Sequence, residues 1–220
     1  EEGKPEDLNT YKMEDPVRLK VIVHVGPKGF QKVGHICFSY DNIVYSYGNY
    51  DSDSFRLNQT IGDGIFFTVP LEKYIPNMIS AENNSIFEYG ILTTPTQNAF
   101  IEKEIEKIRL NGYRWYTKIE KEDGYDHFSQ YEMDYPSRLH YRTGAKLYKV
   151  KSGKFHIYWA LGDNCASFTD LVLGTLGADV LSIRGIISPG TYLDWLQKEY
   201  LKKNSPIVSR CIYTKETVEQ

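Results

Sequence analysis

A cysteine begins a predicted helix in the stretch Gly162–Leu173, which reads GDNCASFTDLVL. Asp163 and Asn164 are favourable capping residues, and the run after them has the apolar spacing of a helix, so Cys165 falls in the first helical turn. There the partial positive charge of the helix end favours the thiolate and lowers the thiol pKa. Because the backbone N–H groups can also hold an oxyanion, the position suits a nucleophile that attacks a carbonyl carbon.

A thiolate nucleophile needs a base, and the sequence offers five histidines. His24 lies in an early strand-like run, His127 and His140 lie in an aromatic-rich segment, and His156 shortly precedes the cysteine. His35 opens the run VGHICFSY at a predicted strand start. Residue type and spacing do not choose among them, since a histidine is more often a hydrogen-bonded structural side chain.

Cysteine number and spacing exclude two other kinds of chemistry. Three cysteines with no CxxC pair predict neither a disulfide framework nor a zinc site. Cys37 and Cys211 lie in the β-rich apolar runs HICFSY and VSRCIY, which is typical of core thiols. The predicted chemistry at Cys165 requires no metal and no cofactor.

Composition limits the class of protein. The 220 residues are 41% hydrophobic, enough for a substantial core, and the net charge of -3 has no long single-sign block, which predicts no nucleic-acid partner. No run approaches the roughly 18 apolar residues of a membrane span, and the acidic start does not resemble a signal peptide. We expect an irregular lead-in over residues 1–16 and a single domain over residues 17–220.

The elements that position these residues begin with β-structure. Arg18–Val25 alternates apolar and polar residues and is predicted to form a strand. Gly34–Tyr40 and Ile43–Tyr47 are predicted to form a hairpin, because Asp41-Asn42 tolerates the positive φ angles of a two-residue turn. Further strands are predicted at Ile65–Val69, Ser85–Thr93, Ala145–Val150, Lys154–Tyr158 and Ile207–Tyr213.

Helical patterns are interspersed among the strands. Helices are predicted at Thr96–Asn111, Cys165–Leu173 and Pro189–Leu201, with a helical turn or two at Leu71–Met78. The first of these has helical apolar spacing at Phe100, Ile101, Ile105, Ile108 and Leu110. Because the elements do not follow strict βαβ alternation, an α+β domain with a mostly antiparallel sheet is predicted.

The segment from about 112 to 142 is rich in Tyr, Trp, His and charged residues and has weak periodicity, which is typical of an insertion. Its Trp115 and Tyr116 are candidate substrate-binding residues in a groove for a glycan or peptide strand. Packing of the segment onto the sheet fits the same composition equally well.

Three stretches taken together, VHVGPKGFQKVGHICFSY, NIVYSYGNYD and DNCASFTDLV, resemble circularly permuted relatives of the NlpC/P60 papain-like cysteine hydrolases, in particular DUF4105-like bacterial domains. In that pattern a GH pair and a hairpin precede a D-N-C helix start. The resemblance implies a permuted papain-like fold with the nucleophile at a helix N-terminus. It also implies that Cys165 is the nucleophile and His35 the general base.

A third catalytic member depends on the register of the hairpin. A two-residue turn predicts that Ser46 and Tyr50 share the face of His35, whereas a longer or bulged turn brings Asn49 or Asp51 round instead. Asp51 matches the aspartate of the family pattern, and Ser46 stands where the family often has Asn. These four residues all remain candidates for the third member.

The resemblance further implies hydrolysis of an amide bond in peptidoglycan, by an endopeptidase or an amidase. Such an enzyme would be secreted or periplasmic, for example an antibacterial effector, with a peptidoglycan peptide as substrate and an inhibitor (immunity) protein as a candidate partner. Two alternatives remain open: a lecithin retinol acyltransferase-like enzyme acting on lipids, and a non-catalytic binding module with the same fold.

Overall fold

The computed structural model describes residues 17–26, 33–121, 134–176 and 188–215. The predicted lead-in at 1–16 lies outside these ranges, as do residues 122–133 of the aromatic-rich segment, which include His127. Within them the protein is an α+β structure in which helices pack on both faces of a mostly antiparallel sheet, as predicted.

The strands are β1 Leu19–Val25, β2 Val33–Tyr40, β3 Ile43–Gly48, β4 Ile61–Asp63, β5 Ile65–Pro70, β6 Ser85–Ile91, β7 Gly112–Trp115, β8 Lys146–Val150, β9 Ile157–Trp159 and β10 Ile207–Tyr213. The main sheet has the order β10-β6-β1-β2-β3-β5-β8-β7, and β4 and β9 form a separate antiparallel pair. Each neighbouring pair in the main sheet is antiparallel.

The helices are α1 Leu71–Ser80, α2 Pro95–Leu110, α3 Lys118–Lys121, α4 Tyr135–Thr143, α5 Cys165–Leu173 and α6 Pro189–Tyr200. Side chains of α2, α5 and α6 form one core layer with one face of the sheet. Side chains of α1 and α4 form a second layer with the opposite face. We call the face of the sheet that packs against α2, α5 and α6 the α5 face, and the opposite face the α1 face.

Alternation along β1 and β2 assigns their side chains to these faces. Val23 and Ile36 belong to the core of the α5 face, whereas Ile22 and Cys37 belong to that of the α1 face. The register pairs His24 with His35, so both histidines share one face. Since the His24 ring contacts Tyr74 of α1, that face is the α1 face.

The predicted two-residue hairpin turn is confirmed. Asp41 and Asn42 have φ angles of 48° and 61°, and the turn pairs Tyr40 with Ile43. The ladder between β2 and β3 ends after Phe38 pairs with Tyr45. Beyond it, β2 pairs only with β1, and β3 pairs only with β5. We call the position where the ladder ends, between His35–Cys37 and Ser46–Gly48, the β2–β3 split.

Several boundaries differ from the sequence-based predictions. The short helix predicted from Leu71 is α1, which extends to Ser80 despite Pro76 in its interior. The segment predicted as an insertion contributes β7 to the edge of the main sheet, and the strand predicted from Lys154 begins at Ile157 instead.

The prediction for α2 is confirmed in its extent, and Thr94 and Gln97 form a capping box at its start. Ile101, Ile105 and Ile108 are buried as its spacing predicts. Phe100 and Leu110, however, are 53% and 66% exposed, because only a narrow stripe of α2 meets the core.

Phe168 of α5 is predicted to be critical for stability. Its ring lies 5.0 Å from that of Tyr47 and 5.5 Å from that of Phe155, and the residue is 2% exposed. Phe168→Ala should lower the free energy of unfolding by about 3–5 kcal/mol, because it leaves a cavity within an aromatic cluster. Urea denaturation measures this loss, and the exposed Phe100→Ala should cost about 0.5 kcal/mol or less. Equal losses in the two variants would contradict the prediction.

Candidate active site

The N-terminus of α5 is capped as the sequence predicts. Asn164 Oδ1 accepts hydrogen bonds from the backbone N–H groups of Ala166 at 2.9 Å and Ser167 at 3.2 Å. The Ser167 hydroxyl accepts one in return from the Asn164 N–H, which completes a capping box. The cap engages the amides of Ala166 and Ser167, and the N–H of Cys165 is directed at its own sulfur.

The Cys165 sulfur lies beside the β2–β3 split. The backbone N–H of Ile36, in β2, lies against the sulfur. Phe168, in the same helix as Cys165, stacks on Tyr47 of β3 and lies 6.3 Å from Phe38 of β2, so the start of α5 packs over the position where the β2–β3 ladder ends.

The pKa of Cys165 moves opposite to the sequence-based expectation. The residue is 5% exposed, and burial raises the thiol pKa above its ordinary value of 9.0. The backbone N–H groups of Ile36, Ala166 and Cys165 favour the thiolate but do not outweigh burial. The resting group is therefore a neutral thiol, and the expected net lowering of the pKa by the helix N-terminus is wrong.

His35 is held by a short hydrogen bond. Its Nε2 lies 2.6 Å from Ser46 Oγ, and that oxygen lies 3.3 Å from the Tyr50 hydroxyl. Burial lowers the pKa of His35 to about 4, so the ring is neutral at pH 7. Since Ser46 engages Nε2, Nδ1 is the ring nitrogen left to exchange a proton with another group.

The register brings Ser46 and Tyr50 to His35, as the two-residue turn predicts, and leaves the other two candidates elsewhere. Asn49 Nδ2 donates to the backbone carbonyl of Gln59 at 2.7 Å. Asp51 accepts a hydrogen bond from Lys149 Nζ at 2.8 Å in a salt bridge. In the described structure, Asp51 therefore forms an ion pair with Lys149 of β8 and does not orient the imidazole.

Cys165 and His35 approach the split from opposite faces of the sheet. No hydrogen bond joins the thiol to the imidazole among the described residues. Their link is Ile36, which follows His35 in β2 and whose N–H lies at the sulfur. Catalytic hydrogen bonds are often loose in the absence of substrate, so this arrangement is compatible with a pair that closes on binding.

A second set of polar side chains, those of His24, Tyr74 and Cys37, lies beside His35, and the sequence analysis did not predict this set. The His24 and His35 rings lie 5.3 Å apart, and His24 Nε2 lies 2.9 Å from the Tyr74 hydroxyl. The Cys37 thiol donates to the same hydroxyl at 3.7 Å, and burial raises its pKa to about 12. The alternation of β1 indicates the face of His24, but its pairing with His35 depends on the register between two strands.

The remaining sequence candidates lie elsewhere. His140 Nδ1 and His156 Nδ1 each lie 2.8 Å from a backbone carbonyl oxygen, that of Ala145 and that of Val150. Trp115 lies in β7 and Tyr116 directly follows it. Since β7 lies four strands from β2, these two are about 19 Å from His35 at about 4.8 Å per strand. The structure does not bring either of them to the site.

A cavity of about 400 Å³ opens beside His35 on the α1 face. Tyr50, Met78 and Tyr135 contribute to its walls, together with Glu82. The Glu82 carboxylate forms salt bridges with Arg138 at 3.1 Å and Arg142 at 3.4 Å. A small ligand in this cavity would contact the imidazole through a mixed aromatic and polar surface.

Comparison of this protein with family models, with curated proteins and with solved structures finds no match. Within the described ranges, no helix is long and apolar enough to cross a membrane. The same ranges contain no group of three or more His, Cys, Asp or Glu side chains that could hold a metal ion.

The lowered pKa of His35 predicts a pH-dependent contribution to stability. Between pH 6.5 and about 4 the unfolded chain binds a proton at this residue and the folded protein does not, so stability falls as the pH falls through that window. Urea denaturation at a series of pH values should show that the wild type loses its stability relative to His35→Gln over this range. A constant difference between the two proteins would contradict a lowered pKa.

The raised pKa of Cys165 predicts a specific pH profile for alkylation. With iodoacetamide, the rate at Cys165 should rise about tenfold per pH unit from pH 6 to pH 8, because only the small thiolate fraction reacts. Peptide mass spectrometry distinguishes this thiol from Cys37 and Cys211, and Cys165→Ser is the blank. A rate that is flat over this range would indicate a thiolate–imidazolium pair in the resting protein instead.

Proposed function

We propose that this protein is a cysteine hydrolase of the permuted papain-like, NlpC/P60 type, and that it cleaves an amide bond in peptidoglycan. Cys165 is the nucleophile, His35 the general base and Ser46 the residue that orients the imidazole. The enzyme acts as an endopeptidase or amidase in the cell-wall compartment, secreted or periplasmic, as an antibacterial effector would. An inhibitor (immunity) protein is its proposed partner.

One observation carries the catalytic assignment. The cysteine that begins a capped helix lies against the N–H of Ile36, the residue next to the histidine whose Nε2 is held 2.6 Å from Ser46. Cys165, His35 and Ser46 therefore lie near one end of the β2–β3 ladder, which supports assigning them as nucleophile, base and orienting group. Cys211 lies in β10, a strand whose sequence, IVSRCIY, contains no histidine.

The proposed reaction starts from two neutral groups. The Cys165 thiol transfers its proton to His35 Nδ1 as the sulfur attacks the substrate carbonyl carbon. The N–H of Cys165, which is directed at the sulfur in the absence of substrate, donates to the oxyanion. His35 then protonates the leaving amine, and water releases the acyl group from the sulfur with His35 again as the base.

The charge state of the resting site has a role in this scheme. Burial keeps both the thiol and the imidazole neutral at pH 7. The ion pair therefore forms only as the substrate carbonyl accepts electrons, when the N–H groups around the sulfur have a negative charge to stabilise. The choice of peptidoglycan as substrate rests on the resemblance of the three sequence stretches to the NlpC/P60 pattern. The cavity beside His35 has space for part of a peptide.

Digestion of purified peptidoglycan tests the proposal. Fragments with new amino termini should appear with the wild type, and mass spectrometry identifies the bond cleaved. Cys165→Ala should abolish release, and His35→Ala should reduce the rate about 10²–10⁴-fold through loss of the base. Ser46→Ala should reduce it about 10- to 100-fold, since the imidazole loses the hydrogen bond that orients it.

Cys211→Ala is the matched control, because it removes a buried thiol from a strand at the edge of the sheet and should retain activity. Activity that survives in Cys165→Ala, or that disappears equally in Cys211→Ala, would refute the catalytic assignment. If the wild type cleaved no peptidoglycan from any source, the proposed substrate would be refuted.

A lipid acyltransferase is the second candidate, because Tyr50, Met78 and Tyr135 give the cavity beside His35 an apolar wall that could hold an acyl chain. It would use the same Cys165 and His35. Formation of a thioester on Cys165 from a phospholipid, seen as an added acyl mass, would favour this candidate if peptidoglycan is not cleaved.

A further inference from the structure

A second cavity lies on the α1 face, bounded by the hairpin turn, the first half of α1 and the strands β6 and β10. Its volume is about 670 Å³, within the range of small-molecule sites. Its apolar walls include Leu71, Ile75 and Tyr213. None of these residues belongs to the candidate active site, which lies toward the other end of β1 and β6.

Glu88 of β6 places a carboxylate in this cavity. The residue is 3% exposed, and its Oε2 has no hydrogen-bond partner among the described residues. Proteins retain few buried polar atoms of this kind, and each calls for an explanation such as a missing ion or ligand. Burial raises the pKa of Glu88 more than the charge of Lys20 lowers it, which agrees with a carboxyl group whose hydrogen bonds are incomplete.

Besides Glu88, charged side chains at or near the cavity include Lys20, Asp41 with its partner Arg18, and Glu72. Lys20, on β1, lowers the pKa of Glu88 through its charge, and its Nζ is 3.4 Å from Asn42 Oδ1. Asp41 is engaged by Arg18 at 2.6 Å. Glu72 lies exposed on α1. Of these carboxylates, Glu88 is the one that is buried with an oxygen lacking a hydrogen-bond partner in the described structure, which favours a ligand with a positive charge.

Because of Pro76, the carbonyl oxygen of Glu72 is a second hydrogen-bond acceptor at the same cavity. A proline has no N–H, so Pro76 cannot donate the usual helical hydrogen bond to the carbonyl oxygen of Glu72, four residues before it. Both residues line the cavity. The polar part of the cavity therefore contains hydrogen-bond acceptors that need donors, beside walls that are apolar.

We propose that this cavity binds a small aliphatic ammonium ligand, a primary amine on a short alkyl chain. The ammonium group donates hydrogen bonds to Glu88 Oε2 and to the carbonyl oxygen of Glu72. The alkyl chain packs against Leu71 and Ile75. The proposal is independent of the proposed hydrolase, since it uses neither Cys165 nor His35.

Pentylamine is the probe, and 1-pentanol is the neutral probe of the same chain length. Calorimetric titration of the full chain at pH 7 should show that the wild type binds pentylamine at least about tenfold more tightly than 1-pentanol, because a charge-assisted hydrogen bond to a buried carboxylate distinguishes them. Glu88→Gln should abolish this preference. Glu106→Gln, which alters an exposed carboxylate of α2 in the layer on the opposite face of the sheet, should retain it.

Equal affinity of the wild type for the two probes, no binding of pentylamine, or an undiminished preference in Glu88→Gln would overturn the proposal. A measurement on the wild type alone covers the case in which Glu88→Gln does not fold. Methyl NMR signals of Leu71 and Ile75 should shift with pentylamine, and shifts confined to other methyl groups would place the amine elsewhere and overturn the proposal.

Discussion

The ladder between β2 and β3 spans three residue pairs, and the first helical turn of α5 lies where it ends. Phe168 of α5 stacks on Tyr47 of β3 and lies within 6.3 Å of Phe38 of β2, so aromatic packing continues where strand pairing does not. This packing places Cys165 beside Ile36. Without the end of the ladder, a cysteine on the α5 face would be separated from a histidine on the α1 face by a continuous sheet.

Burial determines the chemistry of the groups at the split. In water a thiol and an imidazole titrate within a few pH units of each other, and a helix N-terminus would favour the charged pair. Here burial raises the pKa of Cys165 and lowers that of His35 to about 4, which separates the two values and keeps both groups neutral. The hydrogen bond between His35 Nε2 and Ser46 fixes the ring without adding a charge, whereas an aspartate in place of Ser46 would introduce one.

Local signals in the sequence are sufficient for the parts of the site that depend on neighbouring residues. Asp41 and Asn42 specify the turn, the turn specifies the register, and the register brings Ser46 to His35. Asn164 likewise specifies where α5 begins.

Long-range effects could not be predicted in this way. Asp51 matches a motif position, yet its partner Lys149 is 98 residues away. Trp115 has the composition of a binding segment, but its place at the far edge of the sheet follows from the pairing of β7 with β8. The net pKa of Cys165 depends on burial by elements from the whole chain, which a capping motif does not reveal.

Helix α1 borders both cavities of its face. Its first half lines the Glu88 cavity through Leu71 and Ile75, and Met78 near its end lines the cavity beside His35. Ten residues of helix span about 15 Å, so one rod forms a wall of each compartment. The widths of the two compartments are thus not independent mechanical variables: a tilt of α1 about its middle narrows one as it widens the other, and a shift toward the sheet narrows both.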